Sequence, residues 1–268
     1  MPSVNINGKS IFYTDSPQED NGSPRVTTVL IHGLGSSSCF YHPIIPKLQP
    51  VSRCLALDTP GSGLSTLGAT EQSITTIADD ILAFLDAVDV KGEVVVVGHS
   101  MGGILASRLA ATKPERVRGV VLVGPVNPSA GAAKAFEDRI AAVKKDGLEN
   151  LAATIPSAAT GQKAGPLQRA FVRALILGTS PEGYISLCNV IAKAERPDYE
   201  TIKAPVLLLA GGDDKTSPIT GCEAILEAYG TSKEKKELKL LEGVGHWHCV
   251  EAPEEVGRLA AQFIKSIA

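Results

Sequence analysis

Seven short runs of apolar, largely β-branched residues punctuate the chain, at 10–14, 27–31, 54–57, 94–97, 120–123, 206–210 and 238–241. Most are apolar without a break, the pattern of strands covered on both faces. Between them, apolar residues return at helical spacing. Ile74, Ile77, Ile81, Leu85 and Val88 form one such stripe, and Val256, Leu259, Ala260, Phe263, Ile264 and Ile267 form the last. Pro253 and the two glutamates after it predict where that last helix begins, since proline and negative charge both suit a first turn. Strands alternating with helices predict an α/β fold, with a mainly parallel sheet and helices on both faces. The first two runs are separated by the polar, Gly/Pro-containing stretch 16–25, which predicts an antiparallel hairpin at the sheet edge.

One stretch breaks the rhythm. No strand pattern occurs between 127 and 204. Phe136, Ile140 and Val143 share one helix face, and Leu167, Ala170, Phe171, Ala174 and Leu175 share another. Pro181-Glu182-Gly183 opens a further helix running to about Ala194. The expected organisation is a core of residues 1–126 and 205–268, with 127–204 inserted as a helical cap (lid). An insertion after the C-terminal end of a strand sits over the ligand side of an open α/β sheet. Ordinary crossover helices would need far fewer residues.

The chemistry centres on Gly98-His99-Ser100-Met101-Gly102-Gly103, between the run 94–97 and a helix-like stretch. Gly-x-Ser-x-Gly carries meaning in that setting, because a strand-to-helix turn this sharp leaves no room for neighbouring Cβ atoms. Ser100 is the candidate nucleophile. A serine hydroxyl needs a base, and of the five histidines His246 lies late in the chain on a loop after a strand. The base needs a carboxylate to hold its tautomer. Asp213 and Asp214 both follow the run 206–210, and the residues alone do not separate them. Ser217 is the expected N-cap of the next helix and Pro218 its first residue. An oxyanion hole would use the backbone N–H groups of Met101 and Leu34, the latter in His32-Gly33-Leu34-Gly35, while His32 reads as structural.

The bulk properties narrow the classes. A net charge of −3 over 268 residues excludes the basic footprint of a nucleic-acid binder. No apolar run reaches the ~18 residues of a membrane span, and no signal pattern opens the chain. The five cysteines are odd in number and scattered, which fits a reducing compartment. A cytoplasmic protein is expected. His246-x-His248-Cys249 lacks the further ligands of a metal site, so no metal is expected. Nothing in the pattern sets an oligomeric state.

Together these residues resemble the α/β-hydrolase superfamily over nearly the whole chain. Asp58-Thr59-Pro60-Gly61-Ser62-Gly63 is similar to that family's turn after the fourth strand. Gly245-His246 with Glu251 and Pro253 is similar to its histidine loop. The family spacing of acid, three residues, then proline selects Asp214, with Pro218 following. The resemblance implies an eight-stranded sheet with a helical cap, and a cofactor-free serine hydrolase acting on small carboxylic esters or lactones through an acyl-enzyme.

In the insertion, residues 139–143, Gly147-Leu148 and 179–184 resemble the caps of 3-oxoadipate enol-lactonases. These open a lactone bearing a carboxylate, which implies an arginine near the pocket: Arg139, Arg169 or Arg173. Phe136, Phe171, Leu175, Tyr184 and Trp247 are the expected pocket lining. A more distant resemblance is to the strigolactone and karrikin receptors, slow butenolide hydrolases, from which Met101-Gly102-Gly103 departs. Carbon–carbon bond hydrolases and cofactor-free haloperoxidases share the same triad. The branches with an aspartate nucleophile are set aside by Ser100. The partner implied is a small-molecule substrate, with no nucleic acid and no membrane.

Overall fold

The computed structural model describes residues 2–268. Eight strands make one sheet: β1 (Ser3–Ile6), β2 (Lys9–Ser16), β3 (Thr27–Ile31), β4 (Arg53–Leu57), β5 (Val94–His99), β6 (Val117–Val123), β7 (Val206–Gly211) and β8 (Lys236–Leu241). Their order across the sheet is β1-β2-β4-β3-β5-β6-β7-β8. From β4 to β8 every neighbouring pair is parallel, while β1 and β2 run antiparallel at one edge.

The helices are α1 (Ile45–Leu48), α2 (Ile74–Ala87), α3 (Met101–Thr112), α4 (Ala130–Asp146), α5 (Glu149–Ala158), α6 (Pro166–Leu177), α7 (Pro181–Ala192), α8 (Ile219–Ala228), α9 (His248–Glu251) and α10 (Pro253–Ser266). Side chains alternate across a strand, so the valine run of β5 divides between two cores. Val94 and Val96 pack with Ile81 of α2, Leu105 of α3 and Ile225 of α8. Val95 and Val97 pack with Leu48 of α1 and with Val256 and Ile264 of α10. Each fully buried aliphatic side chain contributes about 1.5–3 kcal/mol. Continuous apolar runs are what a sheet covered on both faces requires.

The expected edge hairpin is misplaced. Runs 10–14 and 27–31 do not pair with each other; β2 pairs with β4 on one side and β1 on the other. The hairpin is β1–β2, turning through Asn7 (φ 50°) and Gly8 (φ 78°). Both turn residues lie at positive φ, the backbone of a tight hairpin whose twist matches its strands. β1 escapes the periodicity because, of its four residues, only Ile6 is buried.

This edge is pinned from within. Lys9 Nζ lies 2.5 Å from Asp80 Oδ2 of α2, both side chains are 3% exposed, and Asn7 Nδ2 donates to Asp80 Oδ1 at 2.9 Å. Asp80→Ala would strand a buried ammonium, so a loss of about 3–5 kcal/mol is expected. Urea unfolding checks it, with the midpoint falling at an unchanged slope.

Helices α4 to α7 lie between β6 and β7, and no strand occurs among them. On α4, Phe136 and Val143 are buried and Ile140 packs beside them. On α6 the face is rotated from expectation. Val172, Leu175 and Ile176 are buried, whereas Leu167 is 78% exposed and Ala170 and Ala174 face outward. Val172, Leu175 and Ile176 stand at i, i+3 and i+4, an equally good stripe one step round the helix. Among the described residues, no helix is long and apolar enough to cross a membrane. All five cysteines are unpaired thiols, and only Cys39 is exposed.

Candidate active site

Loops at the C-terminal ends of β3, β5, β7 and β8 meet at one point. β5 runs straight through Ser100 into α3, and Ser100 takes φ 55° and ψ −116°. A non-glycine residue held there stores strain of about 1–3 kcal/mol, which persists only where the surroundings enforce it. The β5 and α3 backbones that hold Ser100 at either end enforce it here, and the flanking glycines permit their close approach. A side chain on Gly98 would run into the backbone of Gly102, and one on Gly102 into the carbonyl of Ile31.

His246 Nε2 lies 3.0 Å from Ser100 Oγ, and its Nδ1 lies 2.8 Å from Asp214 Oδ2. Both contacts are satisfied when Nδ1–H donates to the carboxylate and Nε2 accepts the serine proton. Asp214 Oδ1 accepts the backbone N–H groups of Thr216 and Ser217, each at 2.8 Å. Burial alone would raise this carboxyl. The His246 imidazole, its hydrogen bond and the Ser217 N–H outweigh burial and hold it far below the usual carboxylate range. The neighbouring Asp213 faces elsewhere, its Oδ2 accepting the N–H of Gln162 at 3.0 Å. Ser217 does not cap α8 as expected. Pro218 stands at the N-cap, and Ser217 Oγ donates to the Gly124 carbonyl at 2.9 Å. Its hydroxyl and N–H are both consumed in fixing the Asp214 loop.

The peptide of His246 is itself held. His99 Nε2–H and His248 Nδ1–H both reach the His246 carbonyl, at 2.8 and 2.9 Å. Both rings are fully buried. Desolvation first, then the other imidazoles, lowers His99 well below the ordinary histidine range. Desolvation brings His248 down to about 4. His32 ties the β3 loop to the turn after β4, with Nδ1–H on the Gly33 carbonyl at 2.7 Å and Nε2 accepting from Thr59 N at 3.0 Å. Asp58 holds that turn by accepting from Ser38 N at 2.6 Å and Leu64 N at 2.9 Å. The N–H groups of Leu34 and Met101 donate to no other group among the described residues.

A cavity of about 150 Å³ opens on Ser100 and His246. Leu34, Phe136, Tyr184 and Trp247 line it, as do Arg139, Ile155, Ala158, Ala159, Ile176 and Thr216. A groove of about 600 Å³ between α1 and α10 is larger, but Lys47, Glu254, Arg258 and Lys265 line it and no nucleophile stands beside a base there. Size alone does not locate the chemistry. No group of three or more metal-ligating side chains occurs among the described residues.

A family model described as the alpha/beta hydrolase family matches residues 28–259. The chain belongs to the alpha/beta hydrolase family. Among its relatives, 3-oxoadipate enol-lactonase 2 of Acinetobacter baylyi is 28% identical over 238 residues, covering 86% of this chain and 85% of that one. The fold is shared with a thermophilic esterase from Thermogutta terrifontis, at a TM-score of 0.87 and 21% identity, covering 100% of this chain and 99% of that one. It is shared equally with the enol-lactonase from Burkholderia xenovorans, at a TM-score of 0.87 and 23% identity, covering 98% and 99%.

Within this hydrolase the structure redraws the expected pocket. Phe171 and Leu175 do not line the cavity; they pack with Val172 and Ala152 in the core cluster that also holds Trp247. The rotated face of α6 is the cause, and Ile176 reaches the cavity instead. The stripe of Val172, Leu175 and Ile176 was the available signal. Of the three arginines, only Arg139 borders the cavity, with its guanidinium carbon 5.3 Å from the centroid of Phe136. No carboxylate lies within ion-pair distance of it among the described residues. Burial pushes the Tyr184 hydroxyl up to about 12, a rise that Arg139 partly offsets. Arg169 and Arg173 are exposed on α6.

Proposed function

We propose that this hydrolase cleaves small carboxylic esters or lactones through an acyl-enzyme on Ser100. The observation that carries the reading is the continuous chain from Ser100 Oγ to His246 Nε2 (3.0 Å) and from His246 Nδ1 to Asp214 Oδ2 (2.8 Å). Ser100 Oγ attacks the substrate carbonyl carbon while its proton passes to His246 Nε2. Asp214, held ionised, stabilises the imidazolium that results. The oxyanion is received by the N–H groups of Leu34 and Met101, the second reinforced by the N-terminus of α3. The carbon–oxygen bond to the leaving group then breaks, and the leaving oxygen takes the proton from His246. In a lactone that oxygen stays tethered to the acyl group. Water, deprotonated by His246, releases the acid and restores Ser100.

Residues 127–204 act as a cap in this reading, since Phe136, Arg139, Ile155, Ile176 and Tyr184 close the cavity over Ser100. Free thiols at all five cysteines support a reducing, cytoplasmic setting. The cavity of about 150 Å³ suits a short acyl chain. A panel of short p-nitrophenyl esters, simple lactones, an enol-lactone and a butenolide tests the reading, with intact-mass capture of the acyl adduct. Turnover of one class, with an adduct mapping to Ser100, is expected. A panel left untouched, or an adduct elsewhere, counts against it.

Arg139 supports a substrate carrying a carboxylate, because its half-buried guanidinium borders the cavity beside Tyr184 and Phe136 with no carboxylate paired to it among the described residues, leaving a charge that a substrate carboxylate would match. Arg139→Met is expected to lower kcat/KM about 10–100-fold for a half-ester of a dicarboxylic acid, the worth of one charge-assisted pair. The matched neutral ester should change little. Steady-state kinetics on the two substrates reads the difference.

A further inference from the structure

His246 sits in a loop whose backbone groups are tied on both sides. Glu251, on α9, is 5% exposed and touches no cation among the described residues. Its oxygens accept three backbone N–H groups instead. Oε2 takes Gly245 at 2.9 Å and Gly161 at 2.7 Å, and Oε1 takes Trp247 at 2.9 Å. Gly245 and Trp247 flank His246 directly. Gly161 belongs to the turn between α5 and α6, in the helical insertion. Burial lifts this carboxyl above the usual range even with three N–H partners. A buried carboxylate without a counter-ion is costly, and here its donors are the peptides around one functional side chain.

The same turn makes a second set of bonds to the loops around the triad. The N–H of His246 donates to the Ala159 carbonyl at 2.8 Å, and that of Lys163 to the Gly243 carbonyl at 2.9 Å. Asp213 accepts from Gln162 N at 3.0 Å. Gly161 is packed so closely that an added Cβ would stand 2.7 Å from Gly245 N and 2.9 Å from Asp213 Cβ. A swinging lid would have to break all of these contacts at once.

We infer that Glu251 is a positioning residue for His246, and that it makes the α5–α6 turn a fixed part of the catalytic frame rather than a movable flap. The inference rests on the reading of Ser100, His246 and Asp214 as the reacting set. Glu251 touches no reacting atom. It sets the direction of the imidazole by holding Gly245 and Trp247, and through Gly161 it fixes the turn that receives the His246 N–H. Misplacement of a catalytic group by a fraction of an ångström slows chemistry without changing how a short substrate binds.

The test uses Glu251→Gln and Gly161→Ala in the full chain, with a short p-nitrophenyl ester as probe. Glutamine keeps the size but presents an NH₂ to one of the three N–H groups. The extra methyl at position 161 wedges the turn off the Gly245 loop and leaves Glu251 intact. Both variants are expected to lower kcat about 10–100-fold with KM within about twofold. In hydrogen exchange, amides of 159–163 and 243–247 should be as protected as those of β5 in the wild type, and should accelerate in both variants while β5 does not. If Glu251→Gln does not fold, Glu251→Asp takes its place, since it keeps the carboxylate but draws it back from the N–H groups of Gly245 and Trp247. Unchanged kcat, a change confined to KM, or an acceleration spread evenly over the protein would overturn the inference. Ser100→Ala is the control that separates the two readings. If it retains activity, the triad reading fails; if it loses activity while the Glu251 and Gly161 variants do not, only the positioning role fails.

Discussion

Ser100→Ala is expected to reduce ester hydrolysis by about 10⁶-fold, the scale seen when a serine nucleophile is removed from a working triad. The loss should fall on kcat, because the cavity of Leu34, Phe136, Tyr184 and Trp247, the proposed binding pocket, is untouched. A small residual rate over water remains where unattached oxyanion donors still act. The fold should survive. Alanine inherits the same backbone, φ 55° and ψ −116°, so the strain at the turn neither grows nor disappears. The hydroxyl it removes has His246 Nε2 as its hydrogen-bond partner at 3.0 Å, and His246 stays held through its own peptide and Asp214. Single-turnover kinetics with thermal melts on the same samples check both halves. A wild-type rate with Ser100 gone would move the nucleophile elsewhere.

What could be read in advance follows from how local each determinant is. The Gly98–Gly103 turn is legible because its requirement is local: a strand, a backbone no side chain can share, and a helix, all within a few residues. The strands of the parallel sheet are legible for a similar reason, since burial on both faces leaves continuous apolar runs such as Val94–Val97. β1 is not, because an edge strand needs only one buried residue, Ile6, and its partner is set by the Asn7-Gly8 turn and by Asp80 some seventy positions away. The pocket was half legible. Phe136 and Tyr184 face it, but the choice between two overlapping stripes on α6 depends on what α6 packs against, and that information sits in α5 and the Trp247 loop. The role of Glu251 is a long-range matter as well, since Gly161 joins it from ninety residues earlier.

The carboxylates show the same division and support the second large effect. Asp213 and Asp214 are neighbours of the same type, and only the resemblance to the family's acid-to-proline pattern, with Pro218 following, favours the second. The structure gives them different partners: Asp214 meets His246, and Asp213 meets Gln162 N. Asp214→Asn is therefore expected to lower kcat about 10⁴-fold, and Asp213→Asn to have an effect within several-fold. The asymmetry comes from donors. Asp214 Oδ1 already accepts two N–H groups, from Thr216 and Ser217 at 2.8 Å each, so the amide oxygen of the variant would occupy that site. Its NH₂ would then face His246 Nδ1, a donor against a donor. The imidazole escapes by moving its proton to Nε2, which places N–H rather than a lone pair toward Ser100 Oγ. The base is then blocked while every heavy atom stays near its place, so substrate KM should hold and kcat should fall. Steady-state kinetics on the two variants decides it, and a larger loss at Asp213 would transfer the acid to that residue.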